Sequence, residues 1–223
     1  ISYPWLKKWN GVTTQAITLP LDSGINVYEM ILTSENDVWM ASFHGKIYHF
    51  DGSNVTSYQL DKDRTEFPKF FINNNFELMF YFVGRSSINT TEHNVYKFDN
   101  NKWVNVYTDL TNDTLFYYFG EPVSVINGML LRRCVDRIEE FTGNSWKTLV
   151  NSPTFQAYSF AGENVNQFLS SGFQESTGYV KMYYLSDNKW LYQSALPLPE
   201  NIFFGFPIVL AKFNDHYYGF YYP

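Results

Sequence analysis

The sequence predicts an all-β fold built from repeated hairpins. A nine-residue pattern occurs five times without a gap: an apolar residue, two variable residues and a large apolar residue, then Asp, Asn or Gly at the turn. Trp, Val or Thr follows five residues after the large apolar one. A strand that ends in a tight turn and enters a second strand has this pattern, so each copy predicts a β-hairpin. The copies are Leu6–Thr14, Ile47–Val55, Val95–Trp103, Ile138–Trp146 and Met182–Trp190.

The spacing of the copies predicts the architecture. The large apolar residue stands at positions 9, 50, 98, 141 and 185, so successive copies lie 41, 48, 43 and 44 residues apart. Propeller blades of four strands recur with a period of roughly 40 to 50 residues. Five copies therefore predict one five-bladed β-propeller of four-stranded antiparallel blades.

The ends of the chain are expected to share the fifth blade. Residues 1–20 hold a hairpin copy with no strands before it, and residues 201–223 hold two strands with no copy after them. Pairing the N-terminal hairpin with the C-terminal strands closes the ring and removes exposed strand edges. The chain is then a single domain, 1–223, whose other blades fall at about 25–60, 67–110, 115–150 and 154–198.

The residues before each hairpin copy predict the remaining strands. In the first blade, apolar runs indicate strands at Val27–Thr33 and Val38–Phe43. In the second, strands are expected at Pro68–Asn73 and Glu77–Val83, and the polar run Arg85–His93 indicates a long loop before the hairpin. Runs rich in β-branched and aromatic residues, bounded by turn formers, are typical of strands.

The later blades follow the same reasoning. The third has predicted strands at Pro122–Asn127 and Met129–Cys134, with Gly128 as the turn. The fourth begins with Phe155–Phe160, and Pro197 is expected to end its pairing because proline has no N–H to donate. The last blade supplies Phe206–Phe213 and His216–Tyr222.

Two known repeat families are similar to parts of this sequence. The first blade resembles the regulator-type propeller repeat, in which an Asn-Asp-aliphatic-Trp strand (Asn36–Trp39) precedes Gly45, an aliphatic-Tyr pair and the Asp51–Gly52 turn. The second and fourth blades resemble kelch repeats, which have an aliphatic-Tyr strand, a polar turn and then Trp, here Trp103 and Trp190. These resemblances imply a β-propeller and no particular activity.

The composition excludes several classes of function. The net charge is −6, and only 16 residues are Lys or Arg, so a nucleic-acid surface is not expected. No stretch approaches the roughly 20 apolar residues of a membrane span. The sequence also lacks a phosphate-binding Gly loop and a nucleophile elbow, so we expect no cofactor.

Cysteine and histidine give no sign of a metal site. Cys134 is the single cysteine and is expected to be a small buried residue in a strand. No pair of histidines has the spacing of a helical zinc motif. The histidines are His44, His49, His93 and His216.

Catalysis has weak support. Some five-bladed propellers are glycoside hydrolases, which need two carboxylates about 5 to 10 Å apart at the central channel. Glu29 and Glu121 lie at or beside predicted inner strands and are the candidates. Because three inner strands offer no acidic residue, the protein is expected not to be an enzyme.

Aromatic residues divide into two groups. Trp103, Trp146 and Trp190 recur at one repeat position, which is typical of packing between neighbouring blades. Aromatic residues outside the repeat register are candidates for an exposed patch that stacks on sugar or contacts a protein. These are Trp5 before the first hairpin, Phe173 in the fourth-blade loop, and Phe203 and Phe204 before the last blade.

The sequence therefore favours a non-catalytic scaffold that mediates protein–protein interaction, because loops on a rigid ring can vary without cost to the core. Glycan binding of the lectin type is an alternative, with pockets between blades lined by aromatic and amide groups, and a glycoside hydrolase is another. Sequons at Asn54, Asn89 and Asn112 favour a secreted or cell-surface location over a cytoplasmic one.

Overall fold

The structure is a computed structural model, and every regular element that it describes is a β-strand. Within the described part of the chain, no helix has the length and apolar character needed to cross a bilayer. The described residues are 5–9, 11–18, 26–42, 44–62, 65–87, 90–111, 123–134, 137–151, 156–164, 167–173, 179–186, 189–197, 209–213 and 216–220.

The chain divides into two compact units, residues 1–68 and 69–223. The first unit contains a two-stranded hairpin and a four-stranded antiparallel sheet of order β3-β4-β5-β6, here called sheet I. The hairpin strands are β1 (Trp5–Trp9) and β2 (Thr14–Thr18). Sheet I consists of β3 (Val27–Ser34), β4 (Asp37–Ser42), β5 (Lys46–Phe50) and β6 (Val55–Gln59).

The remaining strands form three four-stranded antiparallel sheets and a second hairpin, each sheet following chain order. Sheet II has β7 (Glu66–Ile72), which crosses the unit boundary, β8 (Leu78–Ser87), β9 (Thr90–Asp99) and β10 (Lys102–Thr111). Sheet III has β11 (Val123–Ile126), β12 (Met129–Arg133), β13 (Arg137–Phe141) and β14 (Trp146–Asn151). Sheet IV has β15 (Gln156–Asn164), β16 (Gln167–Phe173), β17 (Tyr179–Ser186) and β18 (Lys189–Pro197), and the hairpin has β19 (Val209–Phe213) and β20 (His216–Phe220).

The all-β prediction and the four-stranded antiparallel sheets are confirmed. In the second unit, β15, the first strand of sheet IV, contacts β11, the first strand of sheet III, and β19, the first strand of the second hairpin. The two terminal hairpins are separate two-stranded sheets. Their union in one blade, the count of five blades and the closure of the ring stay predictions.

One predicted loop is wrong. The sequence indicates a long loop at Arg85–His93, but β8 and β9 pair almost to their ends, with Val83 opposite His93 and Arg85 opposite Thr91. The polar residues Thr91, His93 and Asn94 are buried in this hairpin and are at most 2% exposed. Polarity indicated exposure in the sequence, whereas here hydrogen bonds allow polar side chains to enter the core.

The core is dense in the second strands of sheets I, II and III. β4, β8 and β12 show nearly continuous burial rather than alternation, as expected for strands covered on both faces. In sheet II, Trp103 packs on Phe70, Phe80 and Phe98 of its own sheet. Trp146 of sheet III reaches Tyr81 of sheet II, with ring centroids 6.3 Å apart, so it packs between sheets as predicted for this repeat position.

Candidate functional site

An open pocket of about 380 Å³ lies in the second unit where three turns meet. The turns are 73–77 between β7 and β8, 127–128 between β11 and β12, and 142–145 between β13 and β14. Apolar residues line part of it: Phe71, Met79 and Phe141, all buried, and half-buried Met129. Its polar lining comes from Asn73, Asn74, Asn75, Glu140 and Thr142. The pocket therefore combines apolar surface with amide, hydroxyl and carboxylate groups.

The turn between β7 and β8 is held by the first of its three asparagines. The Oδ1 atom of Asn73 accepts hydrogen bonds from the backbone N–H groups of Asn75 and Glu77, both at 3.0 Å. The backbone carbonyl of Asn73 also accepts from the N–H of Phe76 at 2.9 Å. Because Asn73 satisfies the turn, the exposed side chain of Asn74 is not needed to form it, whereas the side chain of Asn75 contributes a hydrogen bond to Glu77.

Glu77 fixes the far end of this turn. It accepts a hydrogen bond from Nδ2 of Asn73 at 2.8 Å and pairs with Nζ of Lys97 at 2.7 Å. The hydrogen bond from Lys97, with help from Asn73, holds the pKa of Glu77 below its ordinary value despite some burial. The turn is thus anchored to β9.

Phe76 stands out at the tip of the turn. Its side chain is 91% exposed, and its backbone has φ = 60°. An L-residue with a large side chain loses roughly 1 to 2 kcal/mol in this left-handed conformation, which Gly or Asn adopts more easily. The Phe76 side chain therefore stabilises neither the turn nor the core, and strained exposed residues of this kind occur at functional sites.

The turn between β11 and β12 approaches β7 closely. Gly128 has φ = 77°, and a Cβ atom at this position would collide with the carbonyl oxygen of Ile72. Only glycine allows this contact without strain. The glycine thus brings sheet III against the end of β7 and shapes the pocket.

Glu140 is the one charged residue among those that line the pocket. It is half-buried, and within the described residues its side chain makes no hydrogen bond and no ion pair. Lys147 lies opposite it on β14, but the two do not form an ion pair. A partly buried carboxylate without a partner loses hydration without compensation.

Beside the pocket, a buried charge network joins sheets II and III. Nε of Arg132 donates to Glu139 at 2.6 Å, and its Nη1 donates to Asp109 of β10 at 3.0 Å. Arg137 also donates to Glu139, at 2.7 Å. Burial opposes the charge on Glu139, but the hydrogen bonds from Arg137 and Arg132 outweigh it, so the pKa of Glu139 is lowered. The guanidinium of Arg132 lies 4.2 Å from the ring centroid of Trp146.

Burial holds the histidine and the cysteine of this region in their neutral forms at neutral pH. Burial, aided by the charge of Arg132, lowers the pKa of His93 to about 3, and its ring nitrogens lie 2.7 Å from the Tyr81 hydroxyl and 3.2 Å from the Thr111 hydroxyl. Burial raises the pKa of Cys134 to about 12. The described residues contain no cluster of three His, Cys, Asp or Glu that would hold a metal ion. Both side chains make hydrogen bonds inside the second unit, His93 with Tyr81 and Cys134 with Glu139.

A second histidine in sheet I is partly exposed. Nε2 of His49 lies 2.6 Å from Oδ1 of Asp37, and the His49 ring stacks on Trp39 with centroids 3.9 Å apart. Asp37 and Trp39 belong to the Asn-Asp-aliphatic-Trp segment that resembles the regulator-type repeat. It fixes the side-chain packing of the first sheet.

None of the described candidates from sequence lines the pocket. Trp5 lies in β1 rather than before the first hairpin, and Phe173 is the last residue of β16 rather than part of a loop, so these two placements are corrected. β1 begins one residue before the repeat pattern, which the turn residues alone did not predict. Glu29 is half-buried in β3. Phe203, Phe204 and Glu121 fall outside the described residues, and the roles of all six stay predictions.

The sequons can be placed only in part. Asn54 is exposed in the turn between β5 and β6, where Asp51 accepts its backbone N–H at 2.7 Å. Asn89 and Asn112 fall outside the described residues. The turn location of Asn54 agrees with its prediction.

The pocket residues were missed in the sequence for a physical reason. The run Asn73-Asn74-Asn75-Phe76 indicates a turn, and nothing in it indicates that residues about 55 to 70 positions later meet it. The available signal was the aromatic residue that follows three asparagines, since a large apolar side chain is unusual at a turn.

The comparisons with known proteins identify a fold and no family. No family model matches the chain, and no curated protein sequence does. Among solved structures, a candidate oxidoreductase (glucose dehydrogenase) from Thermus thermophilus is 13% identical with a TM-score of 0.55, over 88% of this chain and 79% of the other. YCF48 from Cyanidioschyzon merolae is 11% identical with a TM-score of 0.55, over 85% and 66%.

A third solved structure, YCF48 bound to D1 peptide, is 12% identical with a TM-score of 0.50, over 83% of this chain and 59% of the other. The chain thus spans about two thirds or less of the two YCF48 structures. Identities this low bear on the fold alone. The similar structures are β-propellers, which supports a propeller fold for this chain.

Proposed function

We propose that this protein is a non-catalytic recognition module that binds a segment of a protein partner at the pocket between sheets II and III. The observation that carries the proposal is the pocket itself: apolar lining, an amide rim from Asn74 and Asn75, and the strained, exposed Phe76 beside it. Asparagine amides can donate to and accept from peptide backbone groups. Exposed aromatic residues are the side chains that most often anchor a protein partner.

The fold comparison gives indirect support. One similar structure is YCF48 bound to D1 peptide, so a propeller of this general kind binds a peptide. Turns on a rigid sheet scaffold can acquire binding residues without changing the core. The three turns that form the pocket are turns of this kind, carried by sheets II and III.

The five-bladed ring is part of the same proposal. The hairpin copies and the contacts of β15 with β11 and β19 support it. If residues 1–20 complete the last blade, their removal will reduce the hydrogen-exchange protection of β19 and β20. Unchanged protection would contradict ring closure.

The binding proposal is tested by selection of random linear peptides displayed on phage. Enriched peptides are then measured by calorimetry against the wild type and a variant with Asn74→Ala and Phe76→Ala. Loss of an anchor of this kind is expected to weaken binding at least about tenfold. Val12→Ala is the matched control, because Val12 is an exposed apolar turn residue, 89% exposed, elsewhere in the chain. Absence of enriched peptides, or equal affinity for the wild type and the double variant, would refute the proposal.

Glycan binding is the second candidate, and one observation favours it. The pocket lies between two sheets and has the aromatic and amide lining that sugar recognition uses. An array of neutral glycans tests it, and binding that Asn74→Ala abolishes would favour the lectin hypothesis over the peptide one. A hydrolase is not favoured at this pocket, because Glu140 is the one carboxylate in its lining and the chemistry needs two.

A further inference from the structure

We propose that the segment bound at this pocket presents a basic side chain, lysine or arginine, whose cationic group pairs with Glu140. This inference rests on the proposed function and names the chemistry of its ligand. The pocket lining carries a negative charge, because Glu140 is the one charged residue in it. The whole chain carries a net charge of −6, which also favours a cationic partner.

Three other carboxylates of sheets II and III, each at least partly buried, form ion pairs, and Glu140 differs from them. Glu77 pairs with Lys97, Asp109 pairs with Arg132, and Glu139 pairs with two arginines. Glu140 makes no such pair among the described residues, although Lys147 stands opposite it on β14. A ligand cation would supply the missing partner and offset the lost hydration.

The remaining lining suits the rest of a basic side chain. Lysine and arginine have alkyl stems that pack on apolar surface while the charged end reaches polar groups. Phe71, Met79 and Met129 offer such a surface. Amide oxygens of Asn74 and Asn75 can accept further hydrogen bonds from the cationic group.

Methionine methyl NMR provides a local probe. The chain contains five methionines, of which Met79 and Met129 line the pocket. Protein labelled with ¹³C at the methionine methyl groups is titrated with four capped tripeptides of the form acetyl-Gly-X-Gly-amide. The central residue is lysine, arginine, or one of their neutral counterparts, norleucine and citrulline. Comparing the lysine peptide with the arginine peptide shows which of the two basic side chains binds more tightly.

The expected result is that lysine or arginine peptides shift the methyl signals of Met79 and Met129, with affinity about tenfold above that of the neutral counterpart. Glu140→Gln should reduce that affinity about tenfold and leave the neutral peptides unchanged. Asp99→Asn is the matched control, since it removes the same charge from the exposed end of β9 in sheet II, and Asp99 does not line the pocket. It should leave every affinity unchanged.

The two proposals fail in different ways. If neutral and basic peptides shift the two methyl signals with equal affinity, or Glu140→Gln changes nothing, the inference of a basic side chain is wrong while peptide binding at the pocket stands. If no peptide of any charge shifts either signal, and phage selection also yields no peptide that contacts the pocket, the proposed function itself is wrong.

Discussion

Two consecutive glutamates of β13 have different surroundings. Glu139 is 6% exposed and accepts hydrogen bonds from Arg132, Arg137 and the thiol of Cys134. Glu140 is half-buried, lines the pocket and has no partner among the described residues. A buried charge is stable only when it is paired, so Glu139 belongs to the core network. The carboxylate of Glu140 is left for a molecule outside the chain.

Residue type alone does not decide whether a carboxylate stabilises the fold or is available to bind a ligand. Both residues are glutamates on one short strand, and the chain provides cations for one of them. Substitutions that remove one partner at a time can therefore separate the two roles.

The largest effect is expected from the core glutamate. Glu139→Gln leaves the buried guanidinium of Arg132 with Asp109 as its remaining carboxylate, and should lower the free energy of unfolding by about 3 kcal/mol. Glu140→Gln should change it by less than about 0.5 kcal/mol. Denaturant unfolding measures both. Equal costs for the two substitutions would contradict the comparison.

The next effect concerns the glycine that brings the turns together. Gly128→Ala should lower the free energy of unfolding by about 2 kcal/mol or more, because of its positive φ and the collision with Ile72. Gly143→Ala is the control: Gly143 also has a positive φ, 101°, but an added Cβ meets no atom within 4 Å. That variant should lose only about 1 kcal/mol. If both lose the same amount, the close approach of the β11–β12 turn does not contribute.

A pH dependence should arise from the core beside the pocket. The pKa of His93 is lowered from 6.5 to about 3 in the folded protein, so it is the unfolded state that takes up a proton as the pH falls below 6.5. Stability is therefore full above pH 6.5 and is lost as the pH falls toward 3, by about 2 kcal/mol between pH 7 and pH 5.

Denaturant unfolding at several pH values tests this sign. His93→Gln should remove the pH-dependent part over this interval, even if the variant is less stable throughout. An unchanged slope in the variant would show that other groups cause the loss.

The smallest effect on stability is expected at Phe76. Phe76→Gly should raise the free energy of unfolding by up to about 1 kcal/mol, because glycine adopts the positive φ without strain. The same substitution should weaken peptide binding, since it removes the exposed ring. A variant that is destabilised, or one that binds peptides as well as the wild type, would show that Phe76 has a structural role instead.

The sequence predicted most of the strands because their signals are local. The hairpin copies correspond to β1–β2, β5–β6, β9–β10, β13–β14 and β17–β18, where turn residues and apolar spacing lie within nine residues. The β8–β9 hairpin was mistaken for a loop near Thr91 and His93, because burial of polar residues depends on partners distant in the chain. Hydropathy carries no information about such partners.

The candidate site could not be predicted in the same way. Its turns come from three positions between residues 73 and 145, and no repeat pattern brings those residues together. Glu139 and Glu140 are chemically identical in the sequence, and only the positions of Arg132 and Arg137 separate them. The asparagine run before Phe76 gave the turn correctly, but its relation to the pocket depends on sheet III.

The most direct test measures Glu139→Gln and Glu140→Gln in parallel, by denaturant unfolding and by affinity for acetyl-Gly-Lys-Gly-amide. We expect Glu139→Gln to lose about 3 kcal/mol of unfolding free energy, and Glu140→Gln to keep the stability of the wild type while losing about tenfold in affinity. If Glu140→Gln loses stability and keeps its affinity, Glu140 belongs to the fold and the assignment of this carboxylate to a ligand is wrong.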